Sequence, residues 1–148
     1  WHLHPETMQR EEAKSKPVAQ FCGNVAIVQM NLGRHWVQEQ PHPSRLYEVS
    51  PWPKVLKREG SCGVVSHRCM CGLKVESGPN KGKYIKKPTS MHASHPALIA
   101  PFANLLCKGK HEHLLMEGQA KLLSRAQVWT WREAERIVQG IMNLRKLF

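Results

Sequence analysis

Pro17-Val-Ala-Gln-Phe21-Cys-Gly-Asn-Val25-Ala-Ile-Val28-Gln-Met-Asn-Leu32-Gly33, followed at once by Arg34-His-Trp36-Val37-Gln-Glu39-Gln40-Pro41, is the stretch that shows the fold class. Proline suits the first turn of a helix, where its missing N–H is not needed. From there Val18, Phe21, Cys22, Val25, Val28 and Leu32 recur at helical spacing until Gly33 supplies a stop. That pattern predicts a helix over 17–32 with its apolar face turned to a core. The next seven residues carry β-compatible Trp36 and Val37 and end at Pro41-His-Pro43, the pattern of a buried strand running into a loop. Glu39 falls at the end of that strand. Strand ends in open α/β sheets are where functional groups collect; a solvent-facing glutamate is the competing reading.

Upstream, residues 1–16 are polar and charged and read as an N-terminal arm. Downstream, Tyr47, Val49, Trp52, Val55 and Leu56 lie in a segment interrupted by Pro51 and Pro53, which predicts a short helix from Pro53 to Glu59. Gly60 ends it, and Ser61-Cys-Gly-Val-Val-Ser66 predicts a second strand leading to a turn at Cys69. Leu73–Glu76 and Lys83–Lys86 flank Gly78-Pro-Asn-Lys-Gly82, the turn chemistry of a β-hairpin. Lys81, Lys83, Lys86 and Lys87 cluster at its tip, either as a phosphate-contacting finger or as solvated lysines. Ser94 can cap a segment holding Leu98, Ile99, Phe102, Leu105 and Leu106, broken by Pro101. Thr130-Trp-Arg-Glu133 has the form of a capping box. The stripe Trp131, Ala134, Ile137, Ile141, Leu144, Phe148 behind it predicts a helix covering a sheet. Helix, strand, helix, strand, hairpin, helix, helix is the order of an α/β layer fold.

The chain has 148 residues, enough for one domain with a core and too few for two full ones. Lys plus Arg number 22 against 11 Asp plus Glu. A formal charge of +11 calls for an anionic partner, nucleic acid first and an acidic protein second. Five cysteines at irregular spacing do not form a disulfide framework, so a reducing intracellular compartment is expected. No run approaches the roughly 20 apolar residues that span a bilayer. A chain opening at Trp1 and not at Met is expected to be processed or part of something longer.

One cluster carries metal chemistry. In Cys107-Lys-Gly-Lys-His111-Glu-His113 the two histidines, at i and i+2, share a face of an extended segment, and Cys107 closes over them from the preceding turn. Cys69, or Cys71 in its place, supplies a fourth ligand from His67-Arg-Cys-Met-Cys-Gly72. Cys₂His₂ is a set that zinc takes in closed structural sites. The alternative is an ordinary buried thiol beside two surface histidines.

Glu39-Gln-Pro41, Tyr47, Cys69-Met-Cys-Gly72-Leu, Lys87-Pro-Thr89, the Cys107–His113 stretch and Ala126-Gln-Val128 form an ordered series. Read together, over roughly residues 20–142, they resemble the C-terminal half of the cytosine-C5 DNA methyltransferase-like domains of phages and of retroelement polyproteins in microbial eukaryotes. The resemblance implies a partial Rossmann-like open sheet with flanking helices and a β-hairpin insertion, residues 17–148 forming a single half-domain. Glu39 would then be the acid that contacts the target base, and Lys87 and Thr89 would lie near the DNA backbone. Gln40 stands where the family has Asn or His, Tyr47 where it has Trp, Cys71 where it has an aromatic and His67 where it often has an acid. No Phe-x-Gly-x-Gly or Pro-Cys is present, so S-adenosylmethionine binding and methyl transfer are not expected of this chain alone. The implied function is a catalytically inactive fragment serving as a basic nucleic-acid-binding or structural subunit of a larger nucleoprotein assembly. The alternative is the target-recognition half of a split or truncated DNA cytosine methyltransferase. A zinc-assisted nuclease is disfavoured, because four protein ligands leave zinc no open position for water.

Overall fold

The structure is a computed structural model and describes residues 5–114 and 126–148; residues 1–4 of the expected arm lie outside that range. At its centre is a mixed α/β arrangement built on a three-stranded open sheet. Strands β1 (Val37–Pro41) and β2 (Cys62–His67) flank β3 (Pro88–Ala93), and both pairings are antiparallel. The central strand, Pro-Thr-Ser-Met-His-Ala, was not expected as a strand from its sequence. The register sets Glu39 and Val64 on either side of Met91. Directly opposed residues share a face, so Glu39, Met91 and Val64 point the same way. Glu39 is therefore the middle residue of β1 and not its end, on the face that packs inward.

That face carries the first core cluster: Met91 and Ala93 pack with Leu98, Ile99 and Phe102, and with Ile137 and Leu144 of the last helix. Helix α1 runs Pro5–Asn31, α2 is Trp52–Leu56, α3 is Pro96–Ile99 and α4 is Trp131–Arg145. As expected, Pro101 divides the segment after β3, leaving α3 and a 3₁₀ turn over Ala100–Phe102. Ser94 does not cap it. His95 does, its Nδ1 accepting from Ala97 N, while the Ser94 hydroxyl oxygen accepts the Trp36 backbone N–H at 3.1 Å. The capping box at Thr130 and Glu133 is present in full and starts α4.

The helix expected to begin at Pro17 begins at Pro5 and takes in the polar segment, whose Glu, Gln, Arg, Ala and Lys residues are good helix formers. Its buried face is also not the apolar stripe. Ala19, Gly23 and Ala26 are buried, whereas Val18, Phe21, Val25, Val28 and Leu32 are exposed. The small-residue face wins because it lets the helix backbone approach Trp52, whose indole Nε1 donates to Ala19 O at 2.9 Å. Trp36, Trp52, Val55 and Ala26 form the second cluster there, with Tyr47 standing edge-on to Trp52. Helix α1 thus packs chiefly on α2 and on the 3₁₀ turn Arg45–Glu48.

Helix α4 departs from expectation in the same way. Ile137 and Leu144 reach the core, but Trp131, Ile141 and Phe148 are exposed. At Gly140 the helix meets α3 backbone to backbone; a Cβ there would lie 2.1 Å from Leu98 O, so only glycine permits this approach. The seam turns α4 away from the helical stripe that the sequence pattern had aimed at the sheet.

Candidate metal centre

Strand β2 delivers the chain into the 3₁₀ turn Arg68–Cys71, which ends at Gly72 in the left-handed region (φ 84°) with its N–H shared between Arg68 O and Cys69 O. Such turns need glycine at the last position. Cys69 is thereby held, buried, beside the loop that brings Cys107, His111 and His113. That loop is tied down at one end by Cys107 N–H donating to His67 Nδ1 (2.9 Å) and at the other by Leu114 N–H donating to Tyr84 O (2.8 Å).

One ligand atom from each of Cys69, Cys107, His111 and His113 lies within 4.8 Å of all the others. Cys107 Sγ is 3.5 Å from His111 Nε2 and 3.5 Å from His113 Nε2. With Zn–S near 2.3 Å and Zn–N near 2.0–2.1 Å, the S···N edge of a regular tetrahedron comes to about 3.5 Å. Both edges therefore have the length that zinc requires. The Gly109 N–H points at the Cys107 sulfur at 3.4 Å, a contact that favours thiolate. Burial, then the neighbouring His111 and Lys86, holds His113 below the usual imidazole value and so in the neutral, ligating form. Tyr84 stacks on His111 with 4.0 Å between ring centroids and fixes its plane. Cys71, the alternative fourth ligand, faces the other way: its thiol lies against Arg136 and Glu133, and its carbonyl accepts from the Thr130 hydroxyl.

Next to the cluster is an interaction the sequence did not reveal. Arg68, 2% exposed, makes a two-pronged ion pair with Glu133, 6% exposed, and its remaining N–H groups reach Ala126 O and Val128 O. Glu133 also accepts the Thr130 backbone N–H at 2.7 Å. Four of the five guanidinium N–H donors are thereby paired, as a buried charge requires. The signal available beforehand was only the capping-box glutamate.

The lysines are divided. Lys81 and Lys86 are exposed, Lys83 pairs with Glu112 at 2.8 Å, and half-buried Lys87 donates to Ala126 O at 3.1 Å. Thr89 is buried within β3, its hydroxyl donating to Lys87 O. The predicted hairpin is a narrow pairing about Lys74 and Tyr84, with Ile85 N–H donating to Leu73 O and Val75 N–H to Lys83 O.

Glu39 lies on a small void of about 10 Å³ with Ser66, Thr89, Met91, Phe102 and Trp129, room for about one water and not for a base. Burial raises its carboxyl pKa, against the opposing pull of Lys87 and Arg68. The folded carboxyl binds its proton more tightly than the unfolded one, so stability is lost as pH rises from the usual carboxyl value through the raised one. Glu39→Gln is accordingly expected to melt above wild type at pH 7, with the gap closing on acidification below the normal carboxyl range. A lower melting temperature for the variant at pH 7 would mean that the carboxylate is satisfied in the fold.

No family model matches the chain, and comparison with curated proteins and with solved structures finds no match.

Proposed function

We propose that the chain is a catalytically inactive, methyltransferase-like fragment of partial Rossmann-like type, acting as a basic nucleic-acid-binding subunit of a larger nucleoprotein assembly. Zinc in the Cys69, Cys107, His111, His113 set holds its binding loops in place. The observation that carries this reading is the convergence of four soft and borderline ligands inside the most lysine-rich part of the fold. Lys108 and Lys110 are exposed on the ligand loop itself, and Lys86 is close enough to lower the pKa of both His67 and His113. Closed coordination by four protein ligands suits a structural ion and supplies no activated water. The role of the ion is then to order cationic loops that would otherwise repel one another.

Replacing Lys81, Lys86, Lys108 and Lys110 together by Gln is expected to weaken nucleic-acid binding. The salt dependence should flatten by up to about 0.9 log unit of slope for each duplex phosphate that is no longer neutralised. Titration of duplex and single strands at several salt concentrations measures it. An unchanged slope would remove these lysines from the interface, and no binding by wild type at physiological salt would leave an acidic protein as the partner. The target-recognition alternative would need a base to reach Glu39, for which the void beside it has no room; tight S-adenosylmethionine binding by the chain alone would favour it.

A further inference from the structure

Tryptophan is among the more buried residues on average, yet Trp129 is 42% and Trp131 78% exposed, two residues apart. Both line a groove of about 280 Å³ between the 72–76 segment and the 126–131 segment. Its floor is the third core cluster, Leu73, Val75, Ile85 and Ala126, which gives it an apolar base. Trp131 is held at one edge. Trp131 is the first residue of α4, directly after the N-cap Thr130, and its indole Nε1 donates to Glu135 Oε1 at 2.8 Å. The orientation of an exposed aromatic face is thus fixed before any ligand arrives, which lowers the entropy lost on binding.

The charges at the groove are Lys74 and Glu76 on one side, with Glu135 and Arg132 on the helix and the Arg132 side chain close to Gly72. They roughly cancel, so the groove does not select for a bare anion. A cationic and aromatic track leads out of it: the Lys74 ammonium sits 4.3 Å over the Tyr84 ring, Tyr84 stacks on His111, and beyond lie Lys108 and Lys110. A slot with an apolar floor and indole faces, opening onto Lys74, Lys108 and Lys110, matches a ligand that alternates flat rings with phosphates. Paired bases in a duplex present no free face to such a slot.

We propose that the groove is a stacking site for unpaired bases, so that the preferred ligand is single-stranded nucleic acid, with Trp131 and Trp129 against the bases and Lys74 and the metal-loop lysines along the backbone. This deepens the nucleic-acid reading and rests on it. Base–aromatic stacking is largely insensitive to salt and to sequence.

The test uses the full, zinc-loaded chain with oligothymidylate and with a duplex of equal length. Trp131→Ala is expected to weaken oligothymidylate binding about 5- to 150-fold. It should leave the salt slope unchanged, leave duplex affinity unchanged and abolish most of the ligand-induced quenching of tryptophan fluorescence. Trp131→Phe should restore most of the affinity. Because Trp131 is exposed and Thr130 and Glu133 are untouched, the variant should keep the wild-type circular dichroism; Trp129→Ala provides a second, independent variant. Wild-type affinity for oligothymidylate in both variants overturns the stacking site while leaving the lysine interface standing. Equal weakening for single strand and duplex also overturns it. If wild type binds neither probe, the nucleic-acid reading falls with it.

Discussion

A chelator added to zinc-loaded protein at neutral pH is expected to lower the melting temperature sharply, and re-addition of zinc to restore it. Structural zinc in small domains contributes about 10–16 kcal/mol of apparent binding free energy at pH 7, comparable with the whole stability of a domain, about 5–15 kcal/mol. Here the ion would join the turn after β2 to the 107–113 loop, adding to the hydrogen bonds that His67 makes with Leu105 and Cys107. The thiols sharpen the effect. Burial, together with the adjacent Cys107, pushes the Cys69 pKa up to about 12, so without a cation this thiol stays protonated. Acidification should therefore release zinc as protons compete for the ligands, and the melting temperature of the loaded protein should fall toward that of the chelated protein. Cys107→Ser should melt like the chelated wild type whether or not zinc is present. Elemental analysis checks the premise: about one zinc per chain supports the site, and less than about a tenth of an equivalent removes it.

The second large effect is at Arg68. Removing one partner of a buried, hydrogen-bonded ion pair typically costs about 3–5 kcal/mol, because the other charge is left in a low-dielectric interior. Arg68→Ala and Glu133→Ala are each expected to fall in that range by urea denaturation. The double variant should cost much less than their sum, since the second change removes the orphaned charge. Additive losses would show that the two side chains act separately. The surface pair Arg45–Glu48, in which both partners are exposed, should contribute little to the same measurement.

Why some of this was readable beforehand follows from where the information lies. Strand β2, the capping box of α4, the break at Pro101 and the membership of the Cys/His cluster depend on local patterns, and these survived into the structure. Strand β3 did not announce itself: Thr89, Ser90 and His92 are polar, and it is a strand because it is paired on both sides, a fact of tertiary structure. The faces of α1 and α4 were misread for one shared reason. Periodicity reports the most apolar side of a helix, whereas Ala19, Gly23, Ala26 and Gly140 mark the side that can come closest. At both seams closeness prevailed, and large apolar residues were left outside. Arg68 could not be picked out from 22 cationic residues without knowing that the turn at Cys69 folds beneath α4.

Three consecutive residues, His67, Arg68 and Cys69, each take a partner from much later in the chain: the Cys107 backbone, Glu133, and the 107–113 ligands. Strands β1 and β2 likewise wait for β3, since they do not pair with each other. During synthesis β1 and β2 therefore leave the ribosome with open edges, and Cys69 follows as a bare thiol. At about 5–20 residues per second that exposure lasts for seconds. Native closure waits until Glu133 becomes available to Arg68. A nascent chain of this design presents unpaired strand edges until the segments that close them have emerged.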